Sequence, residues 1–120
     1  MSTVLLVEDN ASQMDLIENY LRQGGHTVIR VSKPKEAVTH ATNKQPDVII
    51  TDVVMPGMSG FELCRKLKGH PATANIPIII CSSKNQEIDR LWGMKQGAKA
   101  YLTKPFSQEQ LNRAVKLAMA

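Results

Sequence analysis

Apolar residues gather in five short blocks along the chain, and more polar stretches with helical punctuation separate them. Val4 to Val7, Val48 to Thr51 and Ile78 to Cys81 are nearly unbroken apolar runs, while Thr27 to Val31 and Ala100 to Thr103 are weaker ones. Short runs without alternation suit strands covered on both faces. Between them, apolar positions recur at the spacing of a helix face: Met14, Ile17 and Leu21; Ala37, Val38 and Ala41; Phe61, Cys64 and Leu67; Ile88, Leu91 and Trp92; Leu111, Val115 and Ala118. Ser59 with Glu62 and Ser107 with Gln110 have capping-box spacing, which marks helix starts. Gly24-Gly25 and Gly97 follow helical stretches, and Pro46 and Pro77 precede strands, which marks the stops.

Strand followed by helix, five times over, predicts an α/β fold: a doubly wound parallel five-stranded sheet with helices on both faces. The 120 residues fit one domain, 1-120, large enough to bury about two-thirds of the surface the unfolded chain exposes. No apolar run approaches the roughly 20 residues of a bilayer span. Met1-Ser2-Thr3 leads straight into a strand-like run without the features of a secretion signal, so a cytoplasmic protein with no membrane insertion is expected.

Charge and rare residues narrow the chemistry. The net charge is +4, but the basic residues are dispersed and aromatic side chains are sparse, which makes a solvated surface the better reading than nucleic-acid binding. Cys64 and Cys81 lack metal or redox spacing and read as reduced core residues. His26, His40 and His70 are scattered, which argues against a histidine-based active site.

In an open parallel sheet, ligands bind beyond the carboxyl ends of the strands, near the point where strand order reverses. Polar groups follow four of the five blocks: Glu8-Asp9, Asp52, Ser82-Ser83 and Lys104. Singly, each has an ordinary explanation as a helix start, a turn, a cap or a solvated lysine. Together they change meaning, because three carboxylates on one edge repel one another and a hard cation such as Mg²⁺ resolves this with one or two carboxylates plus waters. With a metal present, Asp52 is placed to attack a phosphoryl group and form an acyl phosphate. Lys104 would neutralise a phosphoryl oxygen and Ser82 would donate a hydrogen bond to another. The loop after Asp52, with Pro56, Gly57 and Gly60, then serves to expose that carboxylate.

Four motifs in order, LLVEDN (Leu5 to Asn10), ITDVVMPGMSG (Ile50 to Gly60), IICSS (Ile79 to Ser83) and YLTKP (Tyr101 to Pro105), resemble the receiver domain of bacterial two-component response regulators over essentially the whole length. The resemblance implies a flavodoxin-like (βα)5 receiver fold with strand order 2-1-3-4-5. It implies that Asp52 accepts phosphate from a phosphohistidine on a sensor histidine kinase. Glu8, Asp9, Asp52 and the Val54 carbonyl would surround Mg²⁺, and Ser82 and Tyr101 would form the switch pair. In the family the hydroxyl moves toward the phosphoryl group, the aromatic ring turns inward, and the surface of the fourth helix, fifth strand and fifth helix is reshaped for partners. The resemblance also implies a cis Lys104-Pro105 bond, and it places Val54 and Lys84 where phosphoryl lifetime is tuned. Neither is an acid or amide that orients water, so a phosphorylated state that is not especially short-lived is expected.

LWGMKQGAKAYLTKPF, Leu91 to Phe106, is more narrowly similar to stand-alone chemotaxis-type regulators of twitching motility and type IV pili. The expectation is therefore a stand-alone receiver with no output domain, a monomer or a phosphorylation-dependent weak dimer. It would bind a chemotaxis-type kinase and a downstream protein, and catalyse only its own phosphotransfer and dephosphorylation. Trp92 is expected to pack the fourth helix against the sheet. The alternative role is a phosphate sink that drains a shared kinase without a downstream target. A small-molecule phosphatase is disfavoured by Val54, where a second acid would be needed, and a flavin carrier by the lack of a glycine-rich phosphate loop after the first strand.

Overall fold

The computed structural model describes residues 2–120. Five parallel strands, β1 (Thr3–Val7), β2 (Thr27–Val31), β3 (Val48–Thr51), β4 (Ile78–Ser82) and β5 (Ala100–Thr103), form one sheet in the order β2-β1-β3-β4-β5. The intervening helices are α1 (Ala11–Gln23), α2 (Ala37–Lys44), α3 (Gly60–Gly69) and α4 (Glu87–Lys95), with α5 (Gln108–Met119) last. A 3₁₀ turn, Pro34–Glu36, leads into α2. The predicted fold class, flavodoxin-like with order 2-1-3-4-5, is the observed one.

Strand side chains divide by parity. Leu5, Val7, Ile49, Ile78 and Ile80 join a core with Ala37, Ala41, Leu63 and Leu67 of α2 and α3. Val4, Leu6, Val48, Ile50, Ile79 and Cys81 join the opposite core with Met14, Ile17 and Leu21 of α1 and Leu111, Val115 and Ala118 of α5. Both faces of the sheet are thus covered, which is why the strands read as continuous apolar runs.

Caps fix the helix starts. Ser59 Oγ accepts from the Glu62 N–H at 3.1 Å, and Ser107 with Gln110 forms both bonds of a capping box. Gln86 and Asp89 form a further box at α4.

The fourth helix departs from its apolar pattern. Its buried residue is Gly93, whereas Ile88, Leu91 and Trp92 are 70%, 60% and 44% exposed. The expectation that Trp92 packs α4 against the sheet is therefore wrong. The inward line is Asp89, Gly93 and Gln96, because glycine lets the helix come close to Ile80 and Tyr101. At about 100° per residue this turns Trp92 away. A buried Leu or Ile side chain contributes roughly 1.5–3 kcal/mol. With no such residue at its base, α4 is lightly seated. Among the described residues, no helix is long and apolar enough to cross a membrane.

Candidate functional site

Strand order reverses between β1 and β3, whose carboxyl ends deliver Glu8 and Asp52 side by side. Past Asp52 the chain must turn back at once, and the motif's glycines allow it. Gly57 sits at φ 84°, in the left-handed region that favours glycine. Gly60 comes so close to the start of its own loop that a Cβ would lie 1.9 Å from the Asp52 carbonyl oxygen. Its N–H donates to the Val53 carbonyl at 2.8 Å, closing the loop. Val53 and Met55 anchor the loop in the core, and Val54 between them is 62% exposed. The loop therefore holds Asp52 at the rim rather than merely exposing it.

Lys104 is the hub of the site. Its Nζ lies 2.9 Å from Glu8 Oε1 and 3.1 Å from Asp52 Oδ2. Glu8 is 2% exposed, and its other oxygen accepts from the Asn10 N–H at 3.1 Å. Asp52 Oδ1 accepts from the Val53 N–H at 2.6 Å. The Lys104-Pro105 bond is cis, as the resemblance implies. The repulsion among carboxylates, for which the sequence suggests a hard cation, is offset in this structure for Glu8 and Asp52 by the Lys104 ammonium.

Glu8, Asp9, Asp52, Val54, Lys104 and Phe106 line one cavity of about 610 Å³. A cavity of similar size, about 620 Å³, lies at the opposite end of the strands, where Asp47 is the one acidic side chain in its lining. Only the first gathers the predicted chemistry. Among the described residues, no three Asp, Glu, His or Cys side chains are grouped as a ready metal cage. The donor set nonetheless fits Mg²⁺, which takes one or two carboxylates and retains waters. Glu8 and Asp52 are directed inward, and Asp9 is an exposed residue on the same cavity.

Ser82 and Tyr101 sit behind the cavity. Ser82 is fully buried, and its Oγ accepts from the Lys84 N–H at 3.2 Å. Tyr101 is 7% exposed, with its hydroxyl donating to the Lys84 carbonyl at 2.7 Å. Burial pushes the Tyr101 phenol above its ordinary value, with the neighbouring Ser82 hydroxyl opposing. The carbonyl of Lys84 and the Arg90 guanidinium beside Tyr101 are parts of this region that no sequence spacing indicates. The cysteines are remote from the chemistry in character, since burial pushes Cys64 up to about 11 and Cys81 to about 12.

For Lys104, burial acts to lower the ammonium's pKa, but the hydrogen bond to Glu8 and the charges of Asp52 and Glu8 outweigh it and leave it raised above 10.5. A raised folded value means that the native state holds this proton more tightly than the unfolded chain. The resulting stability is present in full below 10.5 and is lost as pH climbs through the folded value. The urea-midpoint difference between wild type and Lys104→Met should therefore be constant up to about pH 10 and shrink above it. Tyr101 and Cys64 titrate in both proteins and cancel in that difference, and Cys81, whose thiol the Lys104 charge lowers, stands at about 12, above the pH at which the shrinkage begins. A difference that stays constant to the highest measurable pH would contradict the ion-pair account.

A 2-1-3-4-5 sheet with lysine-bridged carboxylates at its switch point defines the flavodoxin-like receiver class. The profile of the response regulator receiver domain family matches residues 4–116, and the chain belongs to that family. It is 38% identical over 120 residues to Protein PilH of Pseudomonas aeruginosa, covering 100% of this chain and 99% of that protein. A putative response regulator from Chloroflexus aurantiacus superposes with a TM-score of 0.94 at 32% identity, over 98% of this chain and 97% of that one. The receiver domain of sensor histidine kinase PA1611 from Pseudomonas aeruginosa PAO1, solved with a magnesium ion coordinated in its active site cleft, gives a TM-score of 0.91 at 30% identity, over 98% and 97%.

Proposed function

We propose that this protein is a phosphorylation-gated response regulator in which Asp52 accepts a phosphoryl group from a phosphohistidine of a chemotaxis-type sensor kinase. The observation that carries this reading is the pair of carboxylates, Glu8 and Asp52, held by one lysine at the switch-point cavity. An Asp52 carboxylate oxygen attacks phosphorus. A P–O bond forms as the P–N bond breaks, and the electron pair of that bond leaves on the imidazole nitrogen. The Lys104 ammonium follows the charge from the Asp52 carboxylate to a phosphoryl oxygen. The carboxylates of Glu8, Asp9 and Asp52 and the Val54 carbonyl would hold Mg²⁺, which would neutralise charge on the phosphoryl oxygens.

Ser82, already beneath the cavity, turns its hydroxyl to the new phosphoryl group, and Tyr101 keeps its ring inward. Readout falls to proteins that bind the α4, β5 and α5 face. Ile88, Leu91, Trp92 and Met94 form an exposed apolar group on α4, and contiguous apolar surface of this kind marks protein interaction sites. That group favours a downstream partner over a phosphate sink. Likeness to PilH along nearly the full length of both chains supports a role in pilus-based motility or taxis.

Intact-mass spectrometry after incubation with acetyl phosphate tests the chemistry. One phosphate adduct is expected, dependent on Mg²⁺ and lasting well beyond seconds, because neither Val54 nor Lys84 orients a hydrolytic water. Failure to form an adduct with acetyl phosphate and with a phosphohistidine donor alike would overturn the assignment.

A further inference from the structure

Two contacts to Tyr101 help to seat α4 on the sheet. At its base, a Cβ on Gly93 would stand 3.1 Å from Tyr101 Cδ2 and 3.0 Å from Ile80 Cδ1, so helix backbone and ring are in close approach. Near the start of the helix, Arg90 lays its guanidinium over the same ring with Cζ 5.7 Å from the centroid. Its Nη1 also donates a long hydrogen bond, 3.4 Å, to the Tyr101 carbonyl. The ring is thus met at one edge by the helix backbone and over its face by a cation carried by that helix. The other end of the tyrosine is tied to the site through Lys84, whose carbonyl accepts from the phenol and whose N–H reaches Ser82 Oγ.

We propose that Arg90 is a positioning residue that fastens α4 to the buried ring of Tyr101, so that helix orientation and tyrosine rotamer change as one unit. The large apolar side chains of α4 point outward, leaving little packing to hold the helix, so a cation–π contact of ordinary strength shifts its balance. Coupling of this kind is reciprocal. A protein that binds Ile88, Leu91 and Trp92 and displaces Arg90 frees the ring, and through Lys84 it loosens Ser82. That consequence for phosphorylation rests on the reading of Asp52 as phosphoacceptor, whereas the latch itself does not.

The test uses the full chain labelled with 3-fluorotyrosine and examined by fluorine NMR without any phosphodonor. The two tyrosines, Tyr20 and Tyr101, give two signals, and Tyr101→Phe assigns them. In Arg90→Ala the Tyr101 signal should move toward its solvent-exposed position, with the inward-to-outward ratio falling about two- to fivefold. Arg90→Lys, which keeps the cation, should recover part of that shift, while the Tyr20 signal stays in place. A Tyr101 signal identical in wild type and Arg90→Ala overturns the latch. If both signals move in Arg90→Ala, the loss is one of folding, and Arg90→Gln then decides on the same terms. Because no phosphate enters the measurement, a failed phosphorylation assay leaves this result standing.

Discussion

Asp52→Asn is expected to abolish phosphoryl uptake from acetyl phosphate, to background by intact mass, while leaving the fold in place. The amide oxygen is too poor a nucleophile to attack phosphorus, yet it is shaped like the carboxylate it replaces. It still accepts the Val53 N–H that now reaches Asp52 Oδ1 at 2.6 Å. Lys104 keeps Glu8 at 2.9 Å, so neither buried charge is stranded. The loss of one ion pair is offset by relief of repulsion among the acids of the cavity, where Glu8, Asp9 and Asp52 share a single lysine. Stability should therefore change by no more than about 1 kcal/mol in either direction. Chemical denaturation run beside the mass measurement separates the two effects. An adduct that persists in the variant would place the acceptor elsewhere.

The parts of this fold that were legible in the sequence share a cause. Strands buried on both faces have no polar side, so β1, β3 and β4 stand out as apolar runs, and helices that bury Met14, Ile17 and Leu21 or Leu111, Val115 and Ala118 reveal one face each. Helix α4 misleads for the opposite reason. Its contact with the sheet is made by glycine, which carries no hydrophobic signal, and the apolar residues that do carry one face outward. A pattern reading assumes that apolar residues point inward, and it fails where a surface is apolar for another purpose.

The site shows the same division. Parallel topology brings every strand's carboxyl end to one edge, so Glu8, Asp52, Ser82 and Lys104 were identifiable as neighbours from position alone. Their pairing was not. β3 and β4 intervene between β1 and β5, roughly 14 Å at the usual strand spacing, and only two long side chains leaning inward from the strand ends close that gap. Lys104 therefore bridges Glu8 across 96 positions of sequence, a contact that no local spacing encodes. The motif glycines were read as exposing Asp52. The close approach of Gly60 to the Asp52 carbonyl gives them a second duty, holding that carboxylate at a fixed height beside Glu8.

Lys104→Met separates the lysine's structural work from its chemistry. Methionine retains much of the apolar stem but removes the ammonium, leaving Glu8, 2% exposed, and Asp52, 15% exposed, facing each other without a cation. Stranding a fully buried charge costs about 3–5 kcal/mol. Partial exposure of Asp52 and of Lys104 itself reduces the expected loss here to roughly 2 kcal/mol. At the proposed site Mg²⁺ would replace the missing charge, so it should raise the thermal midpoint of the variant more than that of wild type. Stability recovered in this way does not restore chemistry, since the ion cannot also supply the mobile ammonium that meets a phosphoryl oxygen. Phosphoryl uptake with saturating Mg²⁺ should remain about 10²–10³-fold slower than wild type, the usual loss when one charge-stabilising donor is removed. Wild-type uptake in a variant stabilised by Mg²⁺ would make Lys104 a counterion only. Slow uptake despite restored stability means that one ammonium both holds the acidic cavity together at rest and follows the charge when the phosphoryl group arrives.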